Sequence, residues 1–267
     1  MNEESIKLCA YTLFSSSKGN ATYVCYGDDE ILIDAGMSAK AINTSLESIG
    51  TSLERIGAIF ITHEHSDHVR GLPVIAKKYN IPIHVTAPSA KKLLARMGGT
   101  GEIHIHEPVF EQRIGKILVQ SFITPHDSEM SVGYRLSLGD ATLAVATDIG
   151  YVSEDIRRAL SGVDYVLLES NHDREMLIYG DYPYTLKQRI LSRHGHLSND
   201  DCAEFVSALA EGGTRRVLLG HLSENNNTPE RAYSCCRDRL TSQNIKWGPA
   251  HGFDFGVAEP YKPTRLA

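Results

Sequence analysis

Residues Ile61–Leu72 read ITHEHSDHVRGL: an apolar stretch ends and His63, His65, Asp67 and His68 follow within six residues. Together they form an H-x-H-x-D-H pattern in which every named side chain can ligate a divalent metal ion. The spacing divides them into two pairs. His63 and His65 stand two apart, so an extended loop aims both at one ion. Asp67 and His68 are adjacent and need a turn into a helix to face a second. Four donors do not complete two coordination shells, so other parts of the chain must supply the rest. Three residues stand in a suitable setting, each directly after an apolar run: His126 after VQSFITP, Asp148 after TLAVAT and His221 after RVLLG. Loops at strand ends are where functional residues are usually presented. A carboxylate such as Asp148 can bridge two cations, which makes it the natural link between the pairs.

The rest of the chain is ordinary in bulk. Its 267 residues are 42% hydrophobic and 22% charged, the balance of a soluble globular protein. No linker, repeat or long charge run divides it, so a single domain over residues 1–267 is expected. No apolar run reaches the length of a membrane span. The acidic start MNEESIKLC lacks a basic-then-apolar signal pattern, so a cytoplasmic location is expected. The net charge of −6 argues against a broad basic surface that coats nucleic acid. It leaves room for a local site where metal ions bring the positive charge. Cys9, Cys25, Cys202, Cys235 and Cys236 show no C-x-x-C spacing and are read as reduced thiols.

Strand-like runs are expected at 6–14, 21–26, 30–33, 58–61, 81–85, 116–122, 131–136, 142–146, 165–168 and 215–219. Helices are expected between them. Residues 41–49 put Ile42, Leu46 and Ile49 on one face, and Pro88 opens PSAKKLLARM. Ser153 caps EDIRRAL, Ser198 caps NDDCAEFVSALAE, and Thr228-Pro229 opens the last helix. This alternation predicts an α+β sandwich with helices outside two sheets.

With these motifs the chain resembles the metallo-β-lactamase superfamily, from ILIDAG (Ile31–Gly36) to VLLGHLS (Val217–Ser223). The resemblance implies a four-layer αβ/βα sandwich with a binuclear site at one edge. It implies His63, His65 and His126 on a first metal, Asp67, His68 and His221 on a second, and Asp148 bridging. Asp34 then supports the metal loop by fixing ligand orientation. Two such ions lower the pKa of a bridging water and clamp the oxygens of a displacement. The cofactors expected are two divalent ions, Zn2+ or Mn2+, with Asp67 serving in catalysis as well as ligation.

Other residues must choose the substrate. His65 stands where a diiron oxygen-reducing branch carries Glu, so hydrolysis is favoured over redox chemistry. The segment ITPHDSEMSVGYRL lacks the T-x-G-H-T-x-G pattern of thioesterase and lactonase branches. RHGHLSNDD (Arg193–Asp201) resembles the His-Ser/Thr signature of the phosphodiesterase and nuclease branch. That likeness makes His196 the candidate general acid and Glu169, from LLESNHD, its orienting partner. Ser198, at a helix N-terminus, is a candidate phosphate contact. LFSSSKGNATYV (Leu13–Val24) resembles the S-G-S-x-G-N element of the YycJ/WalJ group, although Ser16 replaces a glycine. The group implies a 5′-to-3′ exonuclease with DNA as partner and no membrane. Ser16, Asn20, Asn171 and His172 join Ser198 as candidate substrate contacts. His84, His104, His106 and His251 are read as structural or surface residues. Two rivals stay open: another hydrolase of this fold, such as a small-molecule phosphodiesterase, and a metal-stabilised binding protein without turnover.

Overall fold

The computed structural model of the chain describes residues 8–267. Its elements run β1 (Leu8–Ser16), β2 (Gly19–Tyr26), β3 (Asp29–Ile33), α1 (Ala39–Glu47), β4 (Ala58–Phe60), α2 (Ser66–Val69), α3 (Leu72–Tyr79), β5 (Ile83–Thr86), α4 (Ala87–Met97) and β6 (Ile103–His106). Then follow β7 (Glu111–Ile114), β8 (Ile117–Thr124), β9 (Ser131–Leu138), β10 (Ala141–Ala146), α5 (Glu154–Leu160), β11 (Tyr165–Glu169), α6 (Arg174–Tyr179) and α7 (Tyr184–Ile190). The chain ends in α8 (Asn199–Glu211), β12 (Arg216–Gly220), α9 (Pro229–Ser242), β13 (Asp254–Val257) and β14 (Thr264–Arg265).

Two seven-stranded sheets result, in the orders β14-β1-β2-β3-β4-β5-β6 and β13-β12-β11-β10-β9-β8-β7. Each is mixed. Strands β3 to β6 and β10 to β13 run parallel, and the remaining pairings are antiparallel. The two-residue period of a strand decides what packs where. Val24, Ile31 and Ile33 turn inward to meet Leu143, Val145, Leu167 and Leu218 between the sheets. Their neighbours Cys25 and Leu32 turn outward against Ile42, Leu46, Ile75 and Leu93 of α1, α3 and α4. Across the molecule Ala144, Val166, Leu168 and Leu219 face Ile156, Val206 and Leu240 of α5, α8 and α9. The layers are therefore helix, sheet, sheet, helix. Both sheets are covered on both faces, which is why their central strands read as continuous apolar runs.

Most expected strands are present with small shifts. The first begins at Leu8 among the described residues, and its expected start at Ile6 and Lys7 lies outside them. Ser38, Ser153, Ser198 and Thr228 each accept a backbone N–H in the first turn of a helix. The structure adds β7, β13, β14, α3, α6 and α7. Strand β7, EQRI, is an edge strand with only half-buried and exposed side chains, so no apolar signal marks it. Among the described residues no helix is long and apolar enough to cross a membrane.

Candidate metal centre

The centre forms where strands of both sheets end on one side of the sandwich. Three residues there adopt left-handed backbone: Asp34 (φ 63°) after β3, Asp148 (φ 57°) after β10 and His221 (φ 55°) after β12. Non-glycine residues enter that region at a cost and are found chiefly where function requires the turn. Between β4 and α2 the loop carries His63 and His65, and α2 turns Asp67 and His68 into the same space.

Donor atoms gather in overlapping groups, each with its members within 4.8 Å of one another. One holds His63, His65 and His126, another Asp67, His68 and His221, and a third His63, His68 and Asp148. Asp148 also groups with Glu169, His196 and His221, so its two groups share a histidine with each of the others. Outer contacts orient the imidazoles. His68 Nδ1 lies 2.7 Å from Asp34 Oδ2, and Asp34 also accepts from the Thr62 N–H (2.9 Å) and hydroxyl. Thr62 Oγ1 sits 3.0 Å from His63 Nδ1. His126 Nδ1 meets the Gly195 carbonyl at 3.0 Å, and His221 Nδ1 meets Glu169 Oε1 at 2.7 Å. With Nδ1 held outside, Nε2 points inward. Buried and without hydrogen-bond partners are His63 Nε2, His126 Nε2 and His221 Nε2, while Asp148 Oδ2 faces only His68 Nε2, at 3.2 Å. Orphaned polar atoms this deeply buried are costly unless something binds them. Imidazoles and carboxylates converging in this way suit a divalent metal.

The charges agree with that reading. Burial is the largest influence on Asp148 and pushes its carboxyl up, but His221 and His68 outweigh it and hold it well below the usual range. Burial likewise opposes protonation of His221, yet Asp148, Asp67 and Glu169 lift it to about 10. His68 is raised too, by Asp148, Asp34 and Asp67 against its burial. His63 is lowered by burial and by His68, and His126 by burial, so both favour the neutral form. Ligation needs neutral nitrogens. His68 and His221, raised above their ordinary value, hold protons at neutral pH until a cation displaces them. Metal uptake is therefore expected to release protons, and affinity to fall as pH falls. Calorimetric heats that change with the ionisation enthalpy of the buffer would register the release; buffer-independent heats would contradict it.

Glu169, fully buried at the end of β11, organises the second half of the site. Its Oε1 holds both His221 Nδ1 and His196 Nδ1 (2.8 Å), and its Oε2 accepts from Ile149 N (2.8 Å) and Leu197 N (3.0 Å). Burial pushes its carboxyl up, but His196 and His221 outweigh that and bring it down to about 2. One carboxylate thus fixes a donor, the backbone beside Asp148 and the ring of His196. That ring lies 5.0 Å from the His126 ring and 5.4 Å from the His221 ring. Glu169→Gln is expected to weaken metal affinity roughly 10–100-fold. Metal titration of the variant checks this, and unchanged affinity would assign Glu169 to packing alone.

The candidate substrate contacts are placed less directly. Ser16, Asn20, Asn171, His172 and Ser198 are all buried. Asn20 Nδ2 donates to the Ser16 carbonyl and lies 3.2 Å from His68 Nε2. Asn171 Nδ2 donates to the His221 carbonyl at 2.9 Å. The Ser198 hydroxyl donates to Asp201 (2.6 Å) while capping α8. These residues brace the loops around the donors, and His172 leaves both ring nitrogens without a partner. Thr62, Gly195 and Ser15, whose Oγ accepts from His221 N (2.8 Å), belong to the same bracing. The sequence signal for Thr62 was its place between an apolar strand end and the first histidine. None of the described cysteines lies in the cluster. His104 and His106 both stack on His84.

Comparison with known proteins agrees with the fold and the donor set. A family model described as a beta-lactamase superfamily domain matches residues 29–222. The chain is 34% identical to exodeoxyribonuclease YycJ of Bacillus anthracis, covering 95% of this chain and 96% of that protein. It is 37% identical to exodeoxyribonuclease WalJ of Streptococcus pneumoniae, covering 94% of each. Among solved structures it is similar to the metallo-beta-lactamase fold protein YhfI from Bacillus subtilis, with a TM-score of 0.70 at 15% identity over 97% of this chain and 98% of that one. By its fold, its clustered histidines and aspartates and these matches, the chain belongs to the metallo-β-lactamase superfamily and is a metal-dependent hydrolase.

Proposed function

We propose that the chain is a phosphodiesterase that degrades DNA as a 5′-to-3′ exonuclease, using two divalent ions, zinc or manganese, in one cytoplasmic domain spanning residues 1–267. The observation that carries this reading is the match of 94–95% of the chain to relatives named exodeoxyribonucleases. The geometry supports it. His63, His65 and His126 would hold one ion and Asp67, His68 and His221 the other, with Asp148 between them, and the unpartnered Nε2 atoms of His63, His126 and His221 fit that task. When bound, such a pair of ions lowers the pKa of water and neutralises charge building on a phosphate.

The chain's own residues supply the rest. Glu169 accepts the His196 Nδ1 proton and fixes the ring beside the donors, which leaves Nε2 to face a substrate. From there His196 donates a proton to the leaving 3′ oxygen of the scissile bond, a transfer that needs a positioned acid. Burial of Asp148 and Glu169 keeps the surroundings poor in water, so charges act at full strength.

Release of nucleotides from 5′-labelled DNA, run beside a generic phosphodiester and a lactone, tests the reading. Metal-dependent release from DNA, far ahead of the other two substrates, is expected. Preference for the small diester would instead indicate a small-molecule phosphodiesterase, and turnover of the lactone alone would remove phosphate chemistry altogether.

A further inference from the structure

Between β11 and α8 the chain leaves the sandwich for the excursion that holds α6 and α7. Helix α7 has no buried residue at all. Around it Tyr179 is 84% exposed, Tyr184 75% and Ile178 51%. Three tyrosines fall within six residues, YGDYPY (179–184). Aromatic surface so open to water normally has a partner.

The charge of the segment says what kind. Between Tyr179 and His196 the only acid is Asp181, while Lys187, Arg189 and Arg193 are all cationic. This occurs in a chain whose net charge is −6. Two of the three cations are pinned by neutral groups. Lys187 Nζ donates to the Ile178 and Gly180 carbonyls (2.8 and 2.7 Å), and the Arg193 guanidinium lies 3.9 Å from the Tyr151 ring centroid. Their charge is therefore not cancelled by a carboxylate. Arg189 is the one paired, with Asp127.

The excursion is also tied to the centre at its exit and in its middle. Its exit delivers the Gly195 carbonyl to His126 and His196 to Glu169. Its middle is held by Tyr182, whose hydroxyl accepts from Asn225 Nδ2 (2.9 Å) in the loop after His221. Exposed rings beside uncancelled cations, leading to a hydrolytic centre, match the way proteins hold single-stranded nucleic acid: bases stack on rings and the backbone follows the positive charge.

We propose that the α6–α7 excursion is a guide for single-stranded DNA, with Tyr179 and Tyr184 as stacking platforms and Lys187 and Arg193 attracting the phosphates. The proposal rests on the exonuclease reading and adds the surface that presents the strand.

Fluorescence anisotropy of a labelled oligothymidylate with hydrolysis-resistant linkages, titrated with metal-loaded protein, tests it. Losing one stacking ring weakens binding roughly 5–150-fold, so Tyr179→Ala with Tyr184→Ala should cost at least about tenfold. Tyr179→Phe with Tyr184→Phe keeps both rings and should restore wild-type affinity, which a merely structural role for the hydroxyls would not. Arg193→Gln should flatten the dependence of log affinity on log salt by about 0.7. Hydrolysis of bis(p-nitrophenyl) phosphate, which has no strand for the guide to hold, reports whether the centre itself is intact. If the wild type cleaves DNA and the alanine pair binds as tightly, the guide is wrong and the exonuclease reading stands. Ring-dependent strand binding without DNA cleavage would leave the guide and remove the exonuclease. A wild-type dimer that becomes monomeric in the alanine pair, at unchanged strand affinity, would give this face to a second copy of the chain and overturn the proposal.

Discussion

Asp148→Asn is expected to strip metal from the centre and lower hydrolysis by roughly 10²–10⁴-fold. The substitution keeps the shape and removes one negative charge from a fully enclosed position. Asp148 groups with His63 and His68 on one side and with His221 on the other, so its loss reaches both proposed ion positions. Charge stabilisation by bound cations contributes several kcal/mol to such reactions, and each ~1.4 kcal/mol is a factor of ten in rate. Stability should move in the same direction. The buried His68 and His221 are held protonated largely by Asp148. Removing one partner of a buried charge pair typically costs about 3–5 kcal/mol. Metal analysis of the purified variant gives the first quantity, single-turnover rates the second and denaturant unfolding the third. A variant that keeps its metal content and wild-type turnover would overturn the proposed bridging role of Asp148.

How much of this was legible in advance depended on whether the signal was local. His63 to His68 sit in one six-residue stretch, and His126, Asp148 and His221 each close an apolar run. Ligand residue types and strand ends can both be read along the chain, so the donor set could be assembled without coordinates. The burial of Ser16, Asn20, Asn171 and Ser198 could not. The family resemblance suggested contact with substrate, and their hydrogen bonds go to the loops that carry His68, His221 and α8. Such bonds join residues from 3 to 50 positions apart and leave no periodicity behind. The left-handed turns at Asp34, Asp148 and His221 were equally silent, because aspartate and histidine give no sign of backbone sign in a strand-like context. Helix α7 escaped for the opposite reason. A helix that buries nothing has no apolar face for a pattern search to find.

His196→Ala should divide the chemistry from the metal centre. Its Nδ1 is bound to Glu169, its ring stands beside those of His126 and His221, and it is half-buried, as the donors His65 and Asp67 also are. A group placed at the rim can serve the leaving oxygen without holding an ion. The variant is therefore expected to keep its metal content and fold while losing roughly 10²–10⁴-fold in rate on DNA, the usual contribution of a positioned acid. A diester with a nitrophenolate leaving group departs without much protonation, so its hydrolysis should fall far less. His65→Ala gives the contrast: it removes a proposed ligand, so both substrates should suffer together and metal content should drop. Glu169 supplies an internal check, because it steers His196 and His221 at once. Glu169→Gln should therefore show a mixture, with lower metal affinity and a leaving-group dependence steeper than that of the wild type. If His196→Ala sheds metal, the histidine is itself a ligand, and its membership of a donor group with Asp148, Glu169 and His221 is the part of the geometry that decides its role.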